Sequence, residues 1–244
     1  MGTLTKRLRA APPLLHAGDT YLGLAWPALE WIEQNVEPGM STIETGAGAS
    51  TLVFAASGAA HVAISPSSEE HRRIVALCRE FNIPTCDLEL IVGSSDLALK
   101  DKWRERPLDV VLIDGAHSFP FPMLDWAYLA PHLRTGGRVL VDDAYQPAVN
   151  VLVRYLRKHP DWDLEAVLGH RTPCFRKLAQ GGLAGEWNDE TLGRPRFDYL
   201  PPPQRALAWL RYRTLEQGPV AAALHPVTTR LERQLGARLR RRGR

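Results

Sequence analysis

The sequence predicts an α/β fold: a doubly wound, mostly parallel sheet that is covered by helices and ends in an antiparallel hairpin. From about residue 40 to 178, short apolar runs alternate with amphipathic segments, as in successive β-α units. The runs 108–114 and 137–142 are almost continuously hydrophobic, which is typical of strands buried on both faces. Two further strand-like runs, 164–168 and 173–178, flank a short glycine-containing turn and predict the hairpin.

The other elements follow from the same patterns. Pro27 at a first turn and Pro38-Gly39 after the last turn delimit an early helix. We expect a helical cover over residues 1–37, the α/β domain over 38–179, and a C-terminal arm with a basic helical tail over 180–244. The remaining predicted strands are 41–44, 61–65 and 88–92. The predicted helices are 27–35, 50–56, 67–81, 96–103, 122–133, 147–158, 204–217 and 228–241.

Composition excludes several classes of protein. With 45% hydrophobic and 23% charged residues, the chain resembles an ordinary folded protein, not a disordered or repetitive one. No apolar run approaches the roughly 20 residues of a membrane-spanning helix, and residues 1–17 contain neither a secretory signal nor a myristoylation motif. The three cysteines form no CxxC pair, which argues against a disulfide framework and for a reducing, cytoplasmic location.

Positive charge is concentrated at one end of the chain. Residues 228–244 contain seven arginines and a single acid, whereas the whole chain has a net charge of only +3. The rest of the chain is therefore slightly acidic, which does not favour a nucleic-acid substrate. We interpret the tail as a solvated helix, with binding to nucleic acid, an anionic membrane or an acidic protein as alternatives.

A glycine-containing turn follows the first predicted strand. In the segment ETGAGAST, Glu44 stands two residues before Gly46, and Gly48 and Ser50 follow where a helix begins. Glycines at such a turn allow a tight bend and a close ligand, and the helix N-terminus offers unpaired N–H groups. A dinucleotide fingerprint would have a third glycine in place of Thr51. An acid beside the turn suits a ligand ammonium better than a pyrophosphate; the alternative is a plain turn with a solvated acid.

Acidic residues follow the fourth and fifth predicted strands. Asp114 ends the fourth strand, His117 comes three residues later, and Asp142 and Asp143 end the fifth. Because the carboxyl ends of parallel strands meet at one edge of a sheet, we expect these side chains beside the glycine turn. Clustered carboxylates repel one another unless a cation lies between them, and their hard oxygens suit Mg²⁺. The alternative is that these acids cap the following helix or hydrogen-bond a loop.

Taken in order, the motifs ETGAGAST, VGSSD, DVVLIDGAH and RTGGRVLVDD resemble the class I S-adenosylmethionine-dependent methyltransferases. The likeness is greatest to the small-molecule O-methyltransferase branch, which has a DGxH motif and a paired acid after strand five. It covers roughly residues 38–178, and the order and spacing of the motifs are its specific part. The resemblance implies a seven-stranded sheet in which antiparallel strand seven lies between strands five and six.

The resemblance also implies roles for individual residues. Glu44 matches the acid that holds the methionine ammonium of S-adenosyl-L-methionine, directly or through water, and Ser94 and Ser95 match the contact with the adenine edge. His117 lies where several relatives have a histidine near the acceptor, which makes it a candidate catalytic base beside Asp114. The implied cofactor-binding set is Glu44, Gly46, Gly48, Ser50, Ser65, Ser94, Ser95 and Asp114. The implied metal ligands are Asp114, Asp142 and Asp143.

The chain departs from the family at the end of strand two, where relatives usually have an acid that binds both ribose hydroxyls. Here the strand ends in Ser65, followed by Pro66 and Ser67, and the first acids are Glu69 and Glu70. A serine can accept one such hydrogen bond but cannot bind both hydroxyls as a carboxylate does. Three alternatives stay open: Ser65 or Ser67 serves, Glu69 reaches back from the helix start, or the ligand is a different one.

Together these features predict an enzyme that methylates a hydroxyl group of a small molecule, with Mg²⁺ assisting. The metal would orient the acceptor hydroxyl and lower its pKa, and His117 would remove the proton. Phe119 or Phe121 is assigned to the acceptor pocket. The rival interpretations are a non-catalytic cofactor- or partner-binding module of the same fold, an NAD-dependent oxidoreductase, and an RNA methyltransferase that uses the arginine tail.

Overall fold

The computed structural model describes residues 3–13, 15, 23–102, 107–180 and 197–216 of the 244-residue chain. These residues form seven strands and eight α-helices, which alternate from α2 to β6. The strands are β1 (Ser41–Thr45), β2 (Ala60–Ser65), β3 (Leu88–Val92), β4 (Leu108–Ile113), β5 (Leu133–Val141), β6 (Trp162–Leu168) and β7 (Thr172–Lys177). The helices are α1 (Leu4–Ala10), α2 (Trp26–Asn35), α3 (Ala49–Ala56), α4 (Ser68–Phe81), α5 (Ser95–Lys102), α6 (Phe121–Leu129), α7 (Pro147–Leu156) and α8 (Pro202–Glu216).

All seven strands belong to one sheet, in the order β3-β2-β1-β4-β5-β7-β6. β1 to β5 are parallel, and β7 runs antiparallel between β5 and β6. The predicted fold class is therefore confirmed, including the position of the last strand. Because the strand order reverses between β1 and β4, a crevice is expected there, outside the carboxyl ends of the strands.

Two hydrophobic layers cover the sheet, one on each face. Successive side chains of a strand point to opposite faces, so β4 contributes to both layers. Val110 and Leu112 pack with α1 to α4, whereas Val111 and Ile113 pack with α5, α6 and α7. All four side chains are buried, as the continuous hydrophobic run predicts.

Some element boundaries differ from those predicted. β5 begins at Leu133 instead of residue 137, because Leu133 is buried and pairs with Leu108 ahead of a register shift. α1 was not among the predicted elements; it is a single amphipathic segment that places Leu8 in the core. Its short length gives a weak periodic signal, so packing rather than sequence pattern defines it.

The chain divides into two compact units, Met1–Ala184 and Gly185–Arg244. In the second unit, α8 begins two residues ahead of the predicted helix, and Trp209 meets Phe197 edge to face at 5.5 Å between ring centres. The predicted tail helix 228–241 lies outside the described residues, and the predicted domain boundaries after residues 37 and 179 stay predictions. No described helix is both long enough and apolar enough to cross a membrane.

Candidate active site

A cavity of about 790 Å³ opens at the carboxyl ends of the central strands. Its walls come from the β1–α3 turn, the β2–α4 turn, the β3–α5 turn and the loops after β4 and β5. The structure therefore brings most of the predicted site residues to one place. Those that line the cavity are Gly46, Gly48, Ser50, Ser65, Ser94, Ser95, Asp114, His117, Asp142 and Asp143.

The β1–α3 turn approaches the end of β4 very closely. Gly46 has φ +93°, and its N–H donates to the Ile64 carbonyl at 2.8 Å. A Cβ at this position would lie 2.3 Å from the carbonyl oxygen of Asp114. Both the left-handed backbone and the lack of space require glycine here. The turn thus forms a bare backbone wall beside the cavity.

Glu44 lies beneath this turn and does not line the cavity. Its side chain is 1% exposed and is held by three polar neighbours. Ser50 Oγ donates to one carboxylate oxygen at 2.6 Å, Thr51 Oγ1 donates to the other, and His61 Nε2 lies 3.1 Å from that second oxygen. Ser50, in contrast, reaches the cavity. A contact between Glu44 and a bound ammonium therefore remains a prediction; Ser50 both donates to Glu44 and lines the cavity.

An acid does stand beside Ser65, but it comes from α4. Ser65 Oγ donates to Glu70 Oε2 at 2.8 Å, and both residues line the cavity. Glu69, which the sequence left open as a substitute, is half-exposed and pairs with Arg72 and Arg73 outside the cavity. A helix brings successive residues to different faces, so only one of the two glutamates can point at the strand end. Periodicity within α4 could have distinguished them.

His117 lies between two carboxyl groups. Its Nε2 is 3.7 Å from Asp114 Oδ1 and its Nδ1 is 3.4 Å from Asp143 Oδ2. The Asp114 carboxyl raises the pKa of His117, burial opposes this, and Asp143 adds to the increase. Burial raises the pKa of Asp114 to about 7, against a lowering by His117. The imidazole is thus a stronger proton acceptor than a solvated histidine, and it faces the cavity.

The paired acids after β5 point in different directions. Asp142 is 1% exposed; Thr172 Oγ1 donates to its Oδ1, and Arg171 Nη2 lies 2.9 Å from its Oδ2. Asp143 has φ +53° and faces His117, and its Oδ1 is 3.2 Å from Arg171 Nη1. Burial raises the pKa of Asp142, while the Thr172 hydrogen bond and the Arg171 charge lower it.

This geometry bears on the predicted metal ligands. Ligand atoms of Asp114, His117 and Asp143 lie within 4.8 Å of one another, but Asp142 is not part of that group. Both of its oxygens already have partners, and a guanidinium joins it to Asp143. Mg²⁺ requires a near-octahedral set of oxygen ligands. The predicted trio of carboxylates therefore does not fit that ion as arranged.

Besides Glu70, sequence patterns missed Arg171 and Tyr145 as residues of the site. Both line the cavity, and Arg171 comes from the β6–β7 turn, to which the sequence analysis gave no functional role. Of the two candidate pocket aromatics, Phe121 lines the cavity, whereas Phe119 is 74% exposed and does not. Because antiparallel β7 inserts next to β5, the hairpin turn lies close to the paired acids.

Asp125 of α6 is a fully buried acid directly behind the cavity wall. A Cβ at Gly115 would lie 3.3 Å from its Oδ2, so the carboxyl packs beneath the turn after β4. Burial raises the pKa of Asp125, the hydroxyls of Ser95 and Thr45 lower it in part, and the Asp96 charge raises it further. Folding thus favours the protonated carboxyl.

We expect Asp125→Asn to stabilise the protein as pH rises. A carboxyl whose folded-state pKa is raised contributes its full stability below its unfolded pKa near 4 and loses it as pH increases through the folded value. The amide cannot ionise, so the difference in unfolding free energy, variant minus wild type, should be larger at pH 8 than at pH 4.5. Urea unfolding at both values measures it, with exposed Glu80→Gln as the control. An equal difference at both pH values would contradict burial of the charge.

Solved structures of other proteins share this fold. The O-methyltransferase TomG from Streptomyces achromogenes, solved with S-adenosylmethionine, has a TM-score of 0.54 at 17% identity, over 72% of this chain and 86% of its own. Cofactor-bound Rv0187 from MTB has a TM-score of 0.55 at 15% identity, over 66% and 83%. An rRNA methylase from Streptococcus thermophilus has a TM-score of 0.50 at 13% identity, over 62% and 95%. At these identities the likeness shows that the chain shares its fold with these methyltransferase structures.

The sequence itself identifies the domain. Residues 43–144 match a family model described as a methyltransferase domain, and this segment contains the glycine turn, the DGxH motif and the paired acids. Residues 43–144 are thus similar to a methyltransferase domain, and the fold is shared with a methyltransferase solved with S-adenosylmethionine. A comparison with curated proteins found no match. The methyltransferase domain predicted from the sequence is thus supported over residues 43–144, whereas the small-molecule O-methyltransferase branch, the acceptor, the metal and the residue roles are not tested by these likenesses.

Proposed function

We propose that this methyltransferase methylates a hydroxyl group of a small molecule and that His117 is its base. The observation that carries the proposal is the position of His117 at the cavity wall, between Asp114 and Asp143. S-adenosylmethionine supplies, when bound, a methyl group that leaves the sulfonium without its bonding electron pair. The acceptor hydroxyl loses its proton to the imidazole as its oxygen forms the new bond to carbon. The proton thus goes to His117, and the electron pair of the broken bond stays on sulfur.

The residues of the cavity fit the predicted cofactor. Gly46 and Gly48 line the cavity and have no side chains, so a ligand can approach the backbone of the β1–α3 turn closely. Ser50 offers a hydroxyl oxygen to an ammonium while it donates its own proton to Glu44, so the buried charge acts through it. We assign the adenine edge to Ser94 and Ser95, in agreement with the resemblance.

We assign the ribose to Glu70 together with Ser65. A carboxylate can accept hydrogen bonds from two vicinal hydroxyls, and Glu70 is the acid that lines the cavity at the end of β2. Ser65 holds it in place through the 2.8 Å hydrogen bond. The missing acid of strand two is then supplied by the first turn of α4, and the alternative of a different ligand is not needed.

A small-molecule acceptor is favoured over RNA by the charge of the cavity. Asp114, Asp142, Asp143 and Glu70 line it, against a single lining arginine among the described residues. Such a wall repels a phosphate backbone, whose binding requires neutralisation by lysine and arginine. Neighbouring folds include both an O-methyltransferase and an rRNA methylase, so the fold alone does not decide.

The sequence predicts that Mg²⁺ assists the reaction, but no step of the proposed reaction depends on the ion. If an ion is held, its ligands among the described residues are Asp114, His117 and Asp143, and it would orient the acceptor oxygen. The imidazole nitrogen suits transition metals better than Mg²⁺. Removal of the acceptor proton needs only His117 and the carboxyls that face it.

We expect S-adenosylhomocysteine to raise the melting temperature of the wild-type protein, and NADH to leave it unchanged. A ligand that binds only the folded state stabilises by about 2.7 kcal/mol at a hundred times its Kd, which is several degrees of Tm for a domain of this size. Glu70→Gln should reduce the shift at a fixed concentration, because an NH₂ group, which donates, replaces one of the two accepting carboxylate oxygens. Differential scanning fluorimetry with increasing ligand provides the measurement.

Glu69→Gln is the matched control. It removes the same charge from the adjacent position, but its carboxylate pairs with Arg73 at 3.2 Å outside the cavity. We expect it to retain the full shift. No shift in the wild type at millimolar S-adenosylhomocysteine would contradict the cofactor assignment. Equal shifts for both variants would contradict only the role of Glu70.

A further inference from the structure

Arg171 is fixed at the edge of the cavity by both its backbone and its side chain. The β6–β7 turn contains two residues with positive φ, Gly169 at +59° and His170 at +68°, and β pairing resumes at Thr172. The Arg171 carbonyl accepts the Ala144 N–H at 2.9 Å. This places the side chain over the paired acids that follow β5.

The guanidinium joins three segments of the chain. Its Nη2 donates to the Gly23 carbonyl at 2.5 Å and lies 2.9 Å from Asp142 Oδ2, and its Nη1 lies 3.2 Å from Asp143 Oδ1. Both carboxylates lie within ion-pair distance of the guanidinium, whose positive charge is a fixed part of the chain. Asp142 and Asp143 are therefore paired with a permanent cation that belongs to the chain.

We infer that Arg171 is the built-in cation of this site and takes the position that the sequence assigned to a divalent metal. Its positive charge offsets the repulsion between Asp142 and Asp143. It also fixes Asp143, whose Oδ2 lies 3.4 Å from His117 Nδ1. Arg171 is thus a positioning residue: it orients the acid that orients the base. The inference deepens the proposed function of the same cavity.

A second cation would be opposed by the first. A metal bound by Asp143 would share that carboxylate with the guanidinium, and two positive charges a few ångströms apart repel strongly where water is partly excluded. Without Asp142, the remaining donors are two carboxylates and one imidazole. Removing the guanidinium should therefore allow Asp114, His117 and Asp143 to bind a metal ion.

The test is a titration with Mn²⁺ alone, in which electron paramagnetic resonance measures the concentration of the free ion. We expect Arg171→Met to bind Mn²⁺ at least about tenfold more tightly than wild type, because the competing charge is gone. Arg171→Lys keeps the charge and should show no gain. In Arg171→Met/Asp143→Asn the gain should disappear. Arg176→Met, which removes an arginine paired with Asp163 at 3.1 Å on β6, controls for net charge.

Tight Mn²⁺ binding by the wild type, or a loss of binding in Arg171→Met, would overturn the inference. The wild-type titration decides this even if Arg171→Met does not fold, and the lysine variant provides a second folded comparison. The S-adenosylhomocysteine shift is recorded on every variant. A wild type that shows neither the shift nor Mn²⁺ binding refutes the proposed cofactor while leaving the built-in cation supported, so the two failures are distinguishable.

Discussion

Gly46→Ala is expected to lower the free energy of unfolding by about 2–5 kcal/mol and to abolish S-adenosylhomocysteine binding. The left-handed conformation at φ +93° costs an L-residue about 1–2 kcal/mol. The added Cβ would also lie 2.3 Å from the Asp114 carbonyl oxygen, and overpacking of this kind costs about 1–3 kcal/mol more. Since the obstacle is backbone, relief requires the β1–α3 turn or the end of β4 to move. Urea unfolding and calorimetric titration measure the two effects.

Gly39→Ala separates the two causes. Gly39 has a similar φ of +82°, but a Cβ there meets no atom within 4 Å. It should lose only the conformational cost of about 1–2 kcal/mol and keep its affinity for S-adenosylhomocysteine. If both variants lose equal stability and both still bind the ligand, the close approach of the turn to β4 has no consequence for the site.

The central position of β4 and β5 and the site location were predictable because they depend on periodicity and on a general rule, whereas the place of β7 between β5 and β6 was implied by the family resemblance. Continuous hydrophobic runs placed β4 and β5 at the centre of the sheet, and the carboxyl ends of parallel strands converge. Asp114 and Asp143 therefore reach the same cavity as Gly46. These contacts follow from the topology of the sheet, which a sequence pattern can predict.

Side-chain direction was not predictable in the same way. Asp142 and Asp143 are adjacent in sequence, yet one is buried against Thr172 and the other faces His117, because the chain turns left-handed at Asp143. That conformation has no distinct sequence signal, since aspartate adopts it only occasionally. The metal prediction treated the two acids as equivalent.

Polar contacts between residues far apart in the chain were also not predictable from the sequence. Arg171 stands 28 positions after Asp143, and nothing in the local pattern of a hairpin turn indicates which strand end it will meet. Glu44 illustrates the same limit, because its carboxylate is held by Thr51 and by His61 of the neighbouring strand. The register that pairs β1 with β2 had to be known first.

His117→Gln is expected to reduce kcat for methyl transfer by about 10²–10⁴-fold, the usual contribution of a positioned base. Glutamine keeps hydrogen-bonding capacity near Asp114 and Asp143 but cannot take up the hydroxyl proton. S-adenosylhomocysteine binding should persist, because the cofactor contacts assigned above follow β1, β2 and β3, whereas His117 follows β4. Release of S-adenosylhomocysteine with a panel of hydroxylated small molecules identifies an acceptor and then measures the rate.

The control for this substitution is His159→Gln, which replaces a histidine that accepts the Asp161 N–H at 3.2 Å, at a position that does not line the cavity. It should leave kcat unchanged. Added imidazole should partly restore His117→Ala and should not affect wild type, since only a missing proton acceptor can be replaced from solution. If His117→Gln keeps full activity, the proton leaves by another route. If it loses S-adenosylhomocysteine binding in parallel with activity, His117 belongs to the cofactor contacts and the base must be sought among the remaining groups of the cavity.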